Sequence, residues 1–241
     1  MSHWDIEGAD PRVSGNLVFD ALREKVVTPN GNGWRNEMKI KKNLRVAMSD
    51  VEEDFSARIT ANLSKGEKTI VAQYHAGNSA KEKAKPATKA KRLSTLAKLY
   101  ISDTSESGFL DSRANNGIFD VYVRLAREDG SGEDKHALGT IKSGESFELK
   151  MANNRGLVTV TALDKTVKLR VKDSAGSYLK FGNYLQAQDP VTRRKIEKSK
   201  WAEFYRNSNF TRSVITFSNV NYDRRLVANQ NSHEQPTKDK R

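Results

Sequence analysis

Short runs in which apolar and polar residues alternate recur through most of the chain, at 34–41, 55–63, 69–75, 96–102, 117–124, 146–151, 157–163, 166–172, 178–186 and 213–222. Alternation sends successive side chains to opposite faces, as a strand buried on one side requires, and it does not make the apolar stripe of an amphipathic helix. The turns between runs are well signalled: Pro29-Asn30-Gly31-Asn32-Gly33, Asp129-Gly130-Ser131-Gly132, Asn153-Asn154-Arg155-Gly156 and Asp173-Ser174-Ala175-Gly176. About ten strands at this spacing predict an all-β protein, a two-sheet antiparallel β-sandwich of the jelly-roll type with one sheet curved into a groove. Helix is expected only over 14–26, where Leu17, Phe19, Leu22 and Val26 are apolar, and over 193–205.

At 241 residues the chain can bury one large core, so a single domain over 1–228 is expected, followed by a flexible tail at 229–241 with almost no apolar residue. A Lys-rich segment, 77–92, also reads as mobile. The formal net charge of +12 favours an anionic partner: nucleic acid, an acidic membrane or an acidic polysaccharide. Solvated surface lysines would give the same charge. There is no cysteine, which excludes disulfides and thiolate metal sites. No apolar run approaches the length of a membrane span, and residues 1–11 are polar rather than signal-like. No cluster of His and carboxylates has metal-ligand spacing, so neither metal nor other cofactor is expected.

Three strands carry polar residues in phase. In Tyr178-Leu179-Lys180-Phe181-Gly182-Asn183-Tyr184-Leu185-Gln186, one face receives Tyr178, Lys180, Tyr184 and Gln186, and Gly182 leaves room on it for a backbone or a ligand. In Trp34-Arg35-Asn36-Glu37-Met38-Lys39-Ile40, Arg35, Glu37 and Lys39 form a row of plus, minus, plus. In Thr69-Ile70-Val71-Ala72-Gln73-Tyr74-His75, regular alternation puts Gln73 and His75 together with Val71.

These three segments resemble the motifs of the alginate lyases of polysaccharide lyase family seven: Arg-x-Glu-x-Arg, Gln-x-His and Tyr-x-Lys-x-Gly-x-Tyr-x-Gln, in that order. The resemblance runs from about Trp34 to the strand at 213–222. Two residues depart from it. Lys39 replaces the second arginine, keeping the charge but losing the planar fork that grips a carboxylate with two bonds. Tyr74 replaces the usual aliphatic residue between Gln73 and His75.

The resemblance implies an endolytic lyase that cleaves a polyuronate by β-elimination, leaving an unsaturated uronate end. That chemistry must neutralise a carboxylate, remove the proton beside it and protonate the leaving oxygen. Arg35 and Gln73 suit the first task as donors aimed at developing charge. His75 is the candidate base, since histidine titrates near 6.5, about the working pH of such a step. Tyr184 is the candidate acid, and in the family the same tyrosine serves as base for one uronate epimer. Glu37, Lys39, Tyr178, Lys180 and Gln186 are candidate substrate-binding residues. The expected partner is alginate or a similar polyuronate such as glucuronan, met by a monomer that is secreted or periplasmic and binds neither nucleic acid nor membrane. A carbohydrate-binding jelly roll that has lost the reaction is the alternative outside enzymes, though binding alone would need neither His75 nor Tyr184. A nucleic-acid binder is disfavoured because the basic residues lie on strands and one loop rather than a recognition helix.

Overall fold

A computed structural model describes residues 3–75, 95–106, 108–127, 131–171 and 176–227. The expected mobile segment at 77–92 and the tail at 229–241 lie outside the described residues. Among the described residues there are fourteen strands: β1 (Trp4–Glu7), β2 (Arg12–Val13), β3 (Asn16–Asp20), β4 (Arg35–Ile40), β5 (Val51–Leu63), β6 (Lys68–His75), β7 (Thr95–Ser102), β8 (Ile118–Ala126), β9 (Glu133–Lys142), β10 (Ser146–Asn154), β11 (Leu157–Ala162), β12 (Lys165–Arg170), β13 (Tyr178–Leu185) and β14 (Ser213–Leu226). They form two seven-stranded sheets, β1-β4-β13-β6-β7-β8-β9 and β12-β11-β10-β5-β14-β3-β2, in which neighbouring strands pair antiparallel.

The apolar half of each alternating strand meets its counterpart between the sheets. Met38, Tyr74, Leu99, Leu179 and Phe181 from the first sheet pack with Phe19, Phe55, Leu149 and Phe217 from the second. Phe181 anchors this contact, its ring 4.7 Å from Phe55, 5.1 Å from Phe217 and 5.0 Å from Trp4. Ring pairs at these distances add to simple area burial. A second cluster, built from Trp34, Leu185, Trp201, Tyr205 and Phe210, ties the helix α2 (Trp201–Asn207) to the end of β13. There the Tyr205 hydroxyl donates to the Leu185 carbonyl at 3.2 Å.

Several expectations are corrected. Of the helix expected over 193–205, only the part from Lys198 is helical, a 3-10 turn at Lys198–Lys200 that leads into α2. The segment 14–26 is not one helix: Asn16–Asp20 pairs with β14, and only Ala21–Glu24 (α1) is helical, with Asp20 accepting from Arg23 N at 3.0 Å. Leu17 and Phe19 fit both periods in so short a run, and pairing with β14 decides between them. β9 was not expected, because a bulge opposite Val121 and Tyr122 breaks its alternation and puts its buried residues, Leu138 and Ile141, three apart. β1 was not expected either, and it completes the edge beside β4.

Gly182 does leave room, but a backbone fills it. Its φ is +142°, and a Cβ there would lie 2.5 Å from the Asn36 carbonyl oxygen and 2.7 Å from the Glu37 Cα, both on β4. Gly182→Ala is therefore expected to destabilise by at least about 2 kcal/mol, because both the dihedral and the strand spacing are strained. Thermal unfolding should show Tm lower by roughly 4–8 °C for a chain of this size, and an unchanged Tm would contradict the close approach.

Candidate active site

The strands β4, β13 and β6 lie side by side, and their polar faces coincide on the side of the first sheet away from the core. Across one ladder Arg35, Glu37 and Lys39 oppose Tyr184, Gly182 and Lys180. Across the other, Gln73 and His75 oppose Lys180 and Tyr178. The row thus runs from His75 and Tyr178 at one end, through Gln73, Lys180 and Glu37, to Arg35 and Tyr184 at the other. Gln186 lies just past β13, its Nε2 donating to the Tyr184 carbonyl at 3.0 Å. Tyr74 faces the core, as alternation requires.

The phase of β6 differs from the regular strand expected. Two residues of β13, Gly182 and Asn183, stand against Val71 alone, and on its other side β6 carries Val71 as an extra residue against β7. This bulge turns Val71 into the core and brings Ile70 out beside Tyr184. Ile70, Tyr100, Tyr122 and Tyr184 form an apolar wall on the outer face.

Although this face points away from the core, its charges are buried: Arg35 is 7 %, Glu37 1 % and Lys180 4 % exposed. Buried charges are tolerated only when paired. The Glu37 carboxylate takes Arg35 at 3.3 Å, Lys180 at 2.8 Å and the Gln73 amide at 3.1 Å. It is committed to positioning its neighbours across the ladders, and Lys39 is not among them. Lys39 instead pairs at 2.7 Å with Glu7, which also meets Lys180 at 2.6 Å and Arg35 at 3.7 Å.

Glu7 was missed from the sequence because β1 shows no motif and reaches these cations only through pairing with β4. Arg45 was also missed; its guanidinium lies 3.5 Å over the Tyr178 ring, on which His75 stacks with centroids 5.2 Å apart. Tyr178 is thus already in contact with two protein groups, where the sequence suggested a ring face open to a sugar.

Three cations, Arg35, Lys39 and Lys180, share two carboxylates, Glu7 and Glu37, so one positive charge is in excess. Arg35 Nε is buried with no hydrogen-bond partner in the protein. The guanidinium lies 3.7 Å over the Tyr184 ring. The Tyr184 hydroxyl oxygen accepts from Asn32 N at 2.5 Å, so its own hydrogen is left to point at another acceptor. Such a site can hold a carboxylate and give a proton beside it.

Burial acts to raise the Glu7 carboxyl, but Lys180 and then Lys39 outweigh it and bring it down from 4.5 to about 2. For Lys180 burial acts downward, yet Glu37 and Glu7 raise the ammonium overall, so both groups are charged across the neutral range. A depressed carboxylate stabilises the fold fully above its unfolded value and loses that contribution as pH falls toward its folded one. Glu7→Gln is thus expected to cost about 2–3 kcal/mol at pH 7, with the difference from the parent shrinking steadily below pH 4.5. Urea unfolding of both proteins at pH 7, 4 and 3 measures it; a constant difference would contradict the pairing.

A profile of the family described as Alginate lyase matches residues 10–223, which excludes Glu7 and includes the other candidate residues. An alginate lyase from Alteromonas sp. 272 is 44% identical, with TM-score 0.83, covering 93% of this chain and 95% of that one. A polysaccharide lyase of family 18, aly-SJ02, matches at the same 44% identity and TM-score 0.83, over 93% and 96% of the two chains. An alginate lyase from Pseudomonas aeruginosa, 15% identical with TM-score 0.62 over 93% and 99%, shares the fold. No curated protein matches. The family profile spans most of the described chain and the 44% identity extends over nearly all of it, so this chain belongs to the alginate lyase family and is a polysaccharide lyase.

Proposed function

We propose that the protein cleaves alginate by endolytic β-elimination, on the outer face formed by β4, β13 and β6. The observation that carries this reading is the gathering of Arg35, Gln73, His75, Lys180 and Tyr184 on one face by two adjacent ladders. Arg35, with a buried N–H lacking a protein partner, and the second N–H of the Gln73 amide receive the uronate carboxylate and stabilise the charge that develops on it as the neighbouring proton leaves. His75 takes that proton where the sugar presents it to the Tyr178 end. Tyr184 gives a proton to the departing glycosidic oxygen, and for the other epimer takes the sugar's proton as well. Lys180 and Glu37 hold the row in register and keep its charge balance.

The relatives that match at 44% identity are named as an alginate lyase and a family 18 polysaccharide lyase, which supports the substrate class. A single lyase domain over 1–228, working outside the cytoplasm as a monomer, accords with a polymeric substrate. Incubation with mannuronate-rich, guluronate-rich and glucuronate polymers, followed by the ultraviolet absorbance of the conjugated double bond, tests the reaction and the substrate together. A rise with alginate blocks and a fast fall in viscosity support endolytic alginate cleavage. Binding without a rise in absorbance contradicts it, and a rise only with glucuronate replaces the substrate.

A further inference from the structure

Along the row that runs from Arg35 through Tyr184 and Ile70 to Tyr100, a cavity of about 300 Å³ lies against Tyr100, lined by Lys68, by Lys98 (the cross-strand neighbour of Gln73), by Arg124 and Glu133 and, from the segment after β13, by Lys195. It adjoins the candidate acid. Asn32, whose N–H bonds the Tyr184 hydroxyl, and Gln186, whose amide bonds the Tyr184 carbonyl, both line it.

Its electrostatics are less balanced than those of the first cluster. Glu106, 4 % exposed, pairs with Lys68 at 3.5 Å, with Arg124 at 3.1 Å and with Lys135. Glu133 pairs with Lys98 at 2.5 Å and stands 3.9 Å from Arg124. With Lys195, five cations meet two carboxylates, an excess of three positive charges against one in the Arg35 cluster. Arg124 Nε is buried without a hydrogen-bond partner, as Arg35 Nε is. Burial pulls the Lys68 ammonium down to about 8 and lowers that of Lys98, the sign of cations short of counter-charge. Tyr100 supplies the aromatic part of the lining and is backed by Tyr122, stacked on it at 4.9 Å.

We propose that this cavity is a second carboxylate-binding subsite, in which Lys98, Arg124 and Lys195 hold the uronate that lies across the broken bond from the one held by Arg35. The inference rests on the polyuronate reading above, because only a polymer with a carboxylate on each sugar places one anion in each cluster. Two cation clusters flanking one acid then fix the chain in register, and the more positive cluster supplies most of the affinity.

Lys98→Gln with Lys195→Gln is expected to raise KM for polymannuronate or polyguluronate at least about tenfold, the scale of losing contacts to charged groups, with kcat within about twofold. The salt dependence of kcat/KM should flatten. Lys195→Glu alone, at an exposed position where the fold is not at risk, should raise KM in the same direction. A readout independent of turnover is calorimetric titration of saturated hexauronate into Tyr184→Phe with and without the two Gln substitutions, where affinity should fall at least about tenfold. Unchanged KM and unchanged hexauronate affinity would overturn the subsite. If the parent cleaves no alginate yet binds hexauronate through Lys98 and Lys195, the lyase reading fails and the subsite stands. If the parent cleaves alginate and the variants behave like it, the reverse holds.

Discussion

Tyr184→Phe is expected to lower turnover on alginate by at least about a hundredfold, on mannuronate-rich and guluronate-rich polymer alike. The substitution removes one oxygen and keeps the ring, so the stacking with Arg35 and the packing against Ile70, Tyr100 and Tyr122 survive. What disappears is the hydroxyl that accepts from Asn32 N and gives its hydrogen elsewhere. Loss of one such hydrogen bond costs about 1 kcal/mol, or roughly 2–4 °C in Tm, so the folded fraction at assay temperature should be unaffected. Because the Arg35 and Lys180 charges are untouched, KM should move little while kcat collapses. Near-parental kcat would mean that the departing oxygen takes its proton from another group.

His75→Ala is expected to cost at least about a hundredfold in turnover on the epimer whose proton faces this end of the row, and much less on the other. The reason is geometric. His75 is paired with Tyr178, six residues along β13 from Tyr184, so the two candidate proton carriers stand at opposite ends of the row instead of forming one tight pair. A substrate whose proton lies toward Tyr184 can dispense with the imidazole. Initial rates of the variant on the two block polymers measure the split. Equal losses on both would make His75 the base for both epimers; no loss on either would remove it from the mechanism.

Much of this arrangement is readable along the chain because a strand's period is two. Arg35, Glu37 and Lys39, or Gln73 and His75, share a face whatever the strand pairs with. The core is legible for the same reason, since Met38, Leu179 and Phe181 are the complementary set. Where the period is broken, reading fails: Ile70 and Val71 exchange faces at the bulge in β6, and Leu138 and Ile141 of β9 are three apart. Short segments with little pattern of their own, such as Trp4–Glu7 and Asn16–Asp20, become strands because β4 and β14 present unpaired edges to them.

What the sequence determined by itself is therefore the strand content, the two faces of each motif strand and, through resemblance, the kind of chemistry. Only the tertiary structure decided which strands are neighbours, and neighbours decide charge balance. Glu7 comes from thirty-two residues upstream of Lys39 and 173 upstream of Lys180 to pair with both. Glu37 is drawn to Lys180 and Gln73 across ladders rather than to Lys39 along its own strand. The cavity with Lys98, Arg124 and Lys195 joins two strands and a distant connecting segment that share no motif. Side-chain alternation is a local property of the backbone, whereas the Coulomb energy of a buried ion depends on distances that no stretch of sequence contains.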